Sequence, residues 1–279
     1  MMKIKITTLV DNTVGIGGSR ELIAEHGLAF LIETGKQRIL FDTGQYLALK
    51  NNARVLGKDL ATIDMVVLSH GHYDHTGGLR HLLECNAAFS LYAHPDVFAR
   101  KLIKRKGQYR KVGIPVPKDA LVKKGVALNL NTGPVALTPE IMTSGEIPLA
   151  SAFETVAEGF FVEKDGRMVP DTLADDQALV LKTARGPVVV LGCSHRGVIN
   201  TLRQVSKITG QKRIHAVLGG LHLAKATAEK LETILQHLQR FGLEKMVVGH
   251  CTGSRAIQAL YGRLQDKVVL NTVGHTFTV

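Results

Sequence analysis

The stretch Met65-Val66-Val67-Leu68-Ser69-His70-Gly71-His72-Tyr73-Asp74-His75 decides the fold class and the chemistry of this chain. Its apolar start predicts a buried strand that stops at Ser69. Three imidazoles and a carboxylate follow within six residues: His70, His72, Asp74 and His75. Imidazole nitrogen and carboxylate oxygen are ligands of zinc and other divalent metals. Buried polar groups need partners and so short a loop offers few, so this density predicts a metal site.

Three further histidines lie where predicted strands end in the C-terminal part of the chain. From about residue 188 onward the pattern alternates strand and helix, which is typical of an α/β protein. His195, His222 and His250 each follow one of these apolar strands. Ligand and catalytic sites of α/β proteins gather at the carboxyl ends of strands. The sequence therefore predicts that these histidines contribute to the same site as the loop.

The pattern His70-x-His72-x-Asp74-His75 resembles the signature of the metallo-β-lactamase superfamily, and the resemblance covers nearly the whole chain. The segments 41–44 (Phe-Asp-Thr-Gly), 192–195 (Gly-Cys-Ser-His) and 249–253 (Gly-His-Cys-Thr-Gly) match other positions of that family. The resemblance implies an α/β fold, an αββα sandwich of two mixed β-sheets flanked by helices. We expect a single domain over residues 1–279, with a basic flexible insertion or lid at about 98–125.

The same resemblance implies two divalent metal ions, with zinc as the preferred metal and iron, manganese or cobalt as alternatives. One ion would be held by His70, His72 and His195, and the other by Asp74, His75 and His250. Many members bridge the two metals with an aspartate after the next strand. Here that strand ends in Gly219-Gly220-Leu221-His222. His222 either takes the vacant ligand place or contacts substrate, or the second metal is held more weakly. Asp74 and His222 are the candidate catalytic residues.

Five further residues have less specific patterns. Asp42, in a turn, is expected to orient a ligand imidazole rather than to bind metal, although turn aspartates are common. Cys193 and Cys251 are interpreted as buried packing residues rather than soft metal ligands. The pair Asp175-Asp176 either points toward the site or forms a solvated turn.

The finer pattern looks like one branch of the superfamily, the 7,8-dihydropterin-6-yl-methyl-4-(β-D-ribofuranosyl)aminobenzene 5′-phosphate synthases. The segments that carry this likeness are 25–33, 191–202, 219–223 and 249–253. The implied reaction joins a pterin methyl diphosphate to a ribosyl aminobenzene phosphate and releases diphosphate. The alternative is hydrolysis of a phosphoester, lactone or thioester, in which Asp74 helps to position hydroxide.

The net charge of +11 suggests an anionic partner, although it could serve solubility alone. Seven Lys and Arg residues fall between positions 100 and 111. Arg105, Lys106, Tyr109 and Arg110 are the candidate substrate contacts, because arginine and lysine bind phosphates. A nucleic-acid-processing nuclease is the third candidate. The basic run is short and has one aromatic residue, which disfavours nucleic acid relative to an anionic small molecule.

Composition sets further limits on the class of protein. No run of eighteen apolar residues occurs, so no membrane partner is expected. The N-terminus has no cleavable signal pattern and the three cysteines are too few for a disulfide framework, so we expect a cytoplasmic protein. The sequence leaves the oligomeric state open, a homo-oligomer included.

Overall fold

The computed structural model describes residues 4–17, 19–86 and 88–279. In these ranges the strands are β1 (Lys5–Val10), β2 (Ala29–Glu33), β3 (Arg38–Phe41), β4 (Met65–Val67), β5 (Ser90–Ala93), β6 (Lys101–Arg105), β7 (Gln108–Lys111), β8 (Ala127–Leu130), β9 (Ile141–Thr143), β10 (Phe160–Lys164), β11 (Arg167–Pro170), β12 (Ala178–Leu181), β13 (Val188–Leu191), β14 (Ala216–Gly219), β15 (Lys245–Val248), β16 (Val268–Leu270) and β17 (Thr276–Thr278). The helices are α1 (Ala48–Val55), α2 (Tyr73–Thr76), α3 (Leu79–Cys85), α4 (Lys118–Lys123), α5 (Val198–Thr209), α6 (Ala228–Leu238) and α7 (Ser254–Leu264). None of the helices in the described ranges combines the length and the apolarity that crossing a membrane requires.

The chain divides into two compact units. The first comprises Met1–Asn131, Ala157–Asp175 and Thr272–Val279, and the second comprises Thr132–Val156 and Asp176–Asn271. The single domain expected from the sequence stays a prediction.

The first unit is built on a seven-stranded mixed sheet with the strand order β17-β1-β2-β3-β4-β5-β8. The pairs β17–β1, β1–β2 and β2–β3 are antiparallel, and the pairs β3–β4, β4–β5 and β5–β8 are parallel. Leu31, Leu40, Val66 and Leu91 from four of these strands belong to one buried apolar cluster. Parallel strands are usually covered on both faces, which explains the continuous apolar run of β4. The histidine loop therefore leaves directly from a buried strand.

The second unit contains a six-stranded mixed sheet with the order β16-β15-β14-β13-β12-β9. Strands β13 to β16 are parallel, and helices α5, α6 and α7 follow β13, β14 and β15 in turn. This confirms the strand–helix alternation predicted for the C-terminal part. Val189, Val217 and Met246 of the strands share a buried cluster with Leu202 and Leu235 of the helices. Each of the strands β13, β14 and β15 therefore ends at a loop that carries one histidine and leads to the next helix.

The basic segment is more regular than the sequence suggested. It is preceded by a 3₁₀ turn, Pro95–Phe98. Strands β6 and β7 follow and join β10 and β11 in a four-stranded antiparallel sheet of the first unit. Residues 101–111 of the segment expected as a flexible insertion or lid therefore form a regular hairpin, while mobility of the segment stays a prediction. The hairpin turn is Lys106-Gly107, with φ of 48° and 79°, and lysine at such a position hides the usual turn signal.

Candidate metal centre

The histidine loop packs tightly on neighbouring backbone between β4 and the end of α2. A Cβ added to Gly77 would lie 1.8 Å from the carbonyl oxygen of Gln45, and one added to Gly78 would lie 2.0 Å from that of Thr43. The amide of Thr43 donates to the carbonyl of His75 at 2.7 Å. Only glycine fits at such close approaches, so Gly77 and Gly78 hold the backbone next to the loop in place and thereby help to orient the candidate ligand side chains.

His70 and His72 bring two ring nitrogens together. Nε2 of His70 lies 3.0 Å from Nδ1 of His72, and both residues are buried. Two nitrogens that share a tetrahedral zinc ion at 2.0–2.1 Å lie about 3.3 Å apart, so the spacing fits one coordination shell. Burial lowers the pKa of His72 to about 3. The imidazole is therefore neutral at neutral pH, which is the form that binds metal.

Asp74 and His75 form a second pair of donors. Oδ2 of Asp74 lies 3.6 Å from Nε2 of His75. The other ring nitrogen, Nδ1 of His75, lies 2.7 Å from Oδ2 of Asp42, which is fully buried. A carboxylate only accepts hydrogen bonds, so Nδ1 carries the proton and Nε2 presents its lone pair beside Asp74. Asp42 also accepts hydrogen bonds from the amide and the hydroxyl of Ser69.

His26 contacts this loop and was missed as a site residue. Its Nε2 lies 3.3 Å from Oδ2 of Asp74, and its side chain is half exposed. Next to it, a Cβ on Gly27 would lie 2.5 Å from the carbonyl oxygen of Asp74. The carboxylate of Glu25 accepts hydrogen bonds from four successive amides, residues 45–48, at the start of α1. His26 and Gly27 therefore contact the loop and Glu25 binds the start of α1, whereas the sequence marked Glu25 and His26 only as part of the segment 25–33 that carries the family likeness.

A buried lysine lies beneath the loop. Nζ of Lys101 donates to Oδ2 of Asp171 at 2.8 Å and to Oδ1 of Asp175 at 2.9 Å. Asp175 in turn accepts a hydrogen bond from the amide of Gly71 at 2.8 Å. Burial opposes the charge of Lys101, but the two carboxylates outweigh it and raise the pKa of the lysine. Lys101 therefore has a structural role, unlike the exposed cations that follow it.

In the second unit, left-handed backbone occurs at three residues of the predicted strand ends. Ser194, His222 and His250 have φ of 58°, 50° and 48°. Such conformations are costly for residues other than glycine and concentrate at functional sites. Here they are held by neighbouring loops: Ser194 Oγ donates to the carbonyl of Gly220 at 3.0 Å. The amide of His222 donates to Sγ of Cys251 at 3.3 Å, so hydrogen bonds join the loops after β13, β14 and β15.

These loops form a donor cluster of their own. Sγ of Cys193 and one nitrogen each of His195 and His222 all lie within 4.8 Å of one another. The ring centroids of His195 and His222 are 4.2 Å apart. Sγ of Cys193 also lies 3.3 Å from Nε2 of His250. Cys193 is buried, as the sequence indicated, but it contacts a histidine of the candidate site as well as the core.

Asp175 and Asp176 are nearly inaccessible to solvent, with 1% and 2% of their surfaces exposed, so the solvated-turn alternative is wrong. Asp175 supports Gly71 as described above. Asp176 accepts a hydrogen bond from the amide of Arg196 at 2.8 Å, next to His195. Each aspartate therefore supports the backbone beside a candidate ligand in its own unit.

The predicted substrate contacts lie on the hairpin of β6 and β7. Arg105, Lys106, Tyr109 and Arg110 are all exposed. They lie in the first unit, together with His70, His72, Asp74 and His75.

Residues 37–186, more than half of the chain, match the model of the beta-lactamase superfamily domain. The chain belongs to the metallo-β-lactamase superfamily.

Two proteins of Methanocaldococcus jannaschii match this chain over almost its whole length. A 7,8-dihydropterin-6-methyl-4-(β-D-ribofuranosyl)-aminobenzene-5′-phosphate synthase is 34% identical over 264 residues, which are 91% of this chain and 89% of the relative. An uncharacterized protein of the same organism is 36% identical over 260 residues, covering 91% and 93%. The branch suggested by the sequence is therefore confirmed as the one that this chain resembles.

The similarity to a solved structure agrees with this family assignment. Tm1679, described as a metal-dependent hydrolase of the beta-lactamase superfamily, superposes with a TM-score of 0.85 at 29% identity, covering 99% of both chains. A diphosphatase of the PhnP family superposes with a TM-score of 0.55 at 14% identity, covering 100% of this chain and 98% of that one, which shows the shared fold alone. The metallo-β-lactamase fold expected from the sequence is confirmed. The synthase and the hydrolase together support an enzyme.

Proposed function

We propose that this member of the metallo-β-lactamase superfamily is a metal-dependent enzyme that acts on phosphorylated small molecules, with the dihydropterin and ribofuranosylaminobenzene phosphate condensation as its reaction. One observation carries this function: the loop His70–His75 arranges two pairs of donors, 3.0 Å and 3.6 Å apart, with Asp42 orienting His75. The 34% identity to the synthase over 91% of the chain supports the choice of substrate.

The proposed ligands follow the pairs. His70 and His72 would hold one ion together with His195, and Asp74 and His75 would hold the other together with His250. The support comes from donor spacings within each unit and from membership in the family. We assign zinc first, because three or four nitrogen and oxygen donors suit it, and iron, manganese or cobalt as alternatives. His222, whose ring centroid lies 4.2 Å from that of His195, is assigned as the base that contacts substrate, with the ligand place of the missing aspartate as the alternative.

In the proposed condensation, the amine nitrogen of the aminobenzene forms a bond to the methylene carbon of the pterin. The bond from that carbon to the diphosphate oxygen breaks, and the amine proton passes to His222. When bound, the metal ions would neutralise charge on the leaving diphosphate. The chain's own part is to keep Asp74 and His75 in position through Asp42 and His26, and to receive an anionic substrate beside the basic hairpin.

Hydrolysis is the second candidate, and one observation favours it: Tm1679 is described as a hydrolase and shares 29% identity over 99% of both chains. The same ligand set serves this reaction when water reaches the site, and Asp74 would help to position the nucleophile.

The experiment separates the two reactions in zinc-reconstituted protein. Release of diphosphate that requires both the pterin diphosphate and the aminobenzene phosphate supports the synthase. Release of p-nitrophenolate from bis(p-nitrophenyl) phosphate without any condensation supports the hydrolase. His70→Ala should abolish either activity, while His237→Gln on α6, outside both donor sets, should leave it unchanged. Full activity in His70→Ala contradicts the proposed function.

A further inference from the structure

The four-stranded sheet of the first unit has two chemically different faces. In its register Ile103 pairs with Arg110 on one side and with Phe160 on the other. Because side chains alternate along strands, Ile103 and Arg105 of β6 share a face with Arg110 and Phe160. We call this set the arginine–aromatic face: Ile103, Arg105, Arg110 and Phe160.

Contacts show that this face lies next to the histidine loop. The ring of Phe160 stacks on the ring of His72, with centroids 5.0 Å apart and planes inclined by 27°. Lys101, two residues before Ile103 on β6, donates to the Asp175 that holds Gly71. The arginine–aromatic face is thus the continuation of the surface that supports the candidate ligands.

The opposite face of the same strands has different partners. Tyr109 contacts Phe161 edge-on, with ring centroids 5.2 Å apart. Nζ of Lys104 lies 5.4 Å from the centre of the Tyr109 ring. Of the four residues predicted as substrate contacts, alternation therefore places Arg105 and Arg110 on the loop side, Tyr109 on the far side and Lys106 in the turn.

The two guanidinium groups are available for an anion. Arg105 and Arg110 are exposed, and within the described part of the chain neither forms an ion pair, whereas Arg100 and Lys101 of the same segment are paired with carboxylates. The end of β7 is also next to the loop, since the amide of Tyr73 donates to the carbonyl of Val112 at 2.9 Å. Diagonal neighbours on one face of a hairpin lie about 7–8 Å apart, close enough for both to reach one phosphate.

We propose that the arginine–aromatic face binds the substrate, with Phe160 and Ile103 against its aromatic ring and Arg105 and Arg110 on its phosphate or diphosphate. This inference rests on the proposed function, because it names the residues that would select a phosphorylated aromatic substrate beside the candidate metal centre. An aromatic ring stacks on Phe160, and two arginines bind phosphate oxygens through charge-assisted hydrogen bonds. The ring would thereby lie beside His72.

The test measures binding by calorimetry in zinc-loaded protein with two probes that are not turned over, benzylphosphonate and methylphosphonate. Arg105→Gln and Arg110→Gln should each raise the Kd of both probes about tenfold, since a hydrogen bond to a charged group contributes that much or more. Phe160→Leu should raise the Kd of benzylphosphonate about threefold to tenfold and leave methylphosphonate unchanged. The matched controls are Lys104→Gln and Lys111→Gln, which remove the same charge from the opposite face and should change Kd less than about twofold.

An equal rise of Kd in the lysine and arginine variants would mean that only the overall positive charge attracts the probes, and would overturn the assignment. So would unchanged binding in both arginine variants. If Phe160→Leu loses zinc, Ile103→Ala replaces it, with the same selective loss expected for benzylphosphonate; equal loss of both probes counts against the ring site. Because binding needs no turnover, the expected pattern in a protein that catalyses neither reaction would support the face while refuting the proposed function.

Discussion

The substitution Lys101→Met removes an ammonium group that is almost completely buried. The side chain of Lys101 is 1% exposed, and those of its partners Asp171 and Asp175 are 7% and 0% exposed. Both N–O distances are below 3.0 Å, so the lysine neutralises two carboxylates that solvent hardly reaches. Methionine has a similar length and fills the space, which isolates the loss of charge from the loss of volume.

Removing one partner of a buried ion pair costs about 3–5 kcal/mol, because the remaining charge has no compensation. Here two carboxylates remain, and one of them, Asp175, holds the amide of Gly71. We therefore expect the free energy of unfolding to fall by about 4 kcal/mol and the melting temperature by roughly 10 °C. Asp171→Asn added to Lys101→Met should restore part of the loss, since it removes one uncompensated charge.

Urea and thermal denaturation followed by circular dichroism give both quantities, with Lys111→Met as control. Lys111 is exposed on the neighbouring strand, and its replacement should change stability by no more than about 0.5 kcal/mol. In the parent protein the pKa of Lys101 is raised, so its contribution is complete below the ordinary lysine pKa and is lost as pH rises through the raised value. A loss below about 1 kcal/mol in Lys101→Met would refute the reasoning.

Three further predictions concern the loop. Asp42→Asn should weaken zinc binding about tenfold to a hundredfold in a competition titration, because the amide no longer orients His75 as a carboxylate does; unchanged affinity contradicts this. The free energy of unfolding of the metal-free protein should fall by about 2 kcal/mol between pH 7 and pH 5. The pKa of His72 is about 3 in the folded protein and near 6.5 in the unfolded chain, so the unfolded chain binds more protons over this range. An equal loss in His72→Gln would exclude this cause. Gly77→Ala should prevent normal folding, because the added Cβ would lie 1.8 Å from a carbonyl oxygen. Gly262→Ala on α7, where the added Cβ meets open space, should stabilise the folded protein by up to about 1 kcal/mol. The reverse order of melting temperatures would contradict this.

The sequence was informative where chemistry is local. Four donors within the six residues 70–75 predicted a metal loop without any tertiary information. Apolar strands that alternate with helices predicted that His195, His222 and His250 follow strand ends, and the structure confirms those strands. Both patterns follow from the period of a strand or helix and the chemistry of its last residue, which a single sequence contains.

The remainder depends on contacts between distant segments. His26 lies forty-eight positions before Asp74, and nothing near it in the sequence marks the contact. The role of Lys101 needs the partner Asp175, and a lysine within a basic run looks like any exposed one. The β6–β7 hairpin was missed because its turn uses Lys106, whose left-handed φ is unusual for that residue type.

The central claim is that the donor pairs of the loop His70–His75 hold divalent metal. The most direct measurement is the zinc content of reconstituted, desalted protein by mass spectrometry, in the parent chain and in His72→Ala and His75→Ala. We predict about two equivalents in the parent chain and about one in each variant, since each substitution removes one nitrogen from a different site. A parent protein with less than about 0.2 equivalent, or variants that retain the full parent content, would contradict the account.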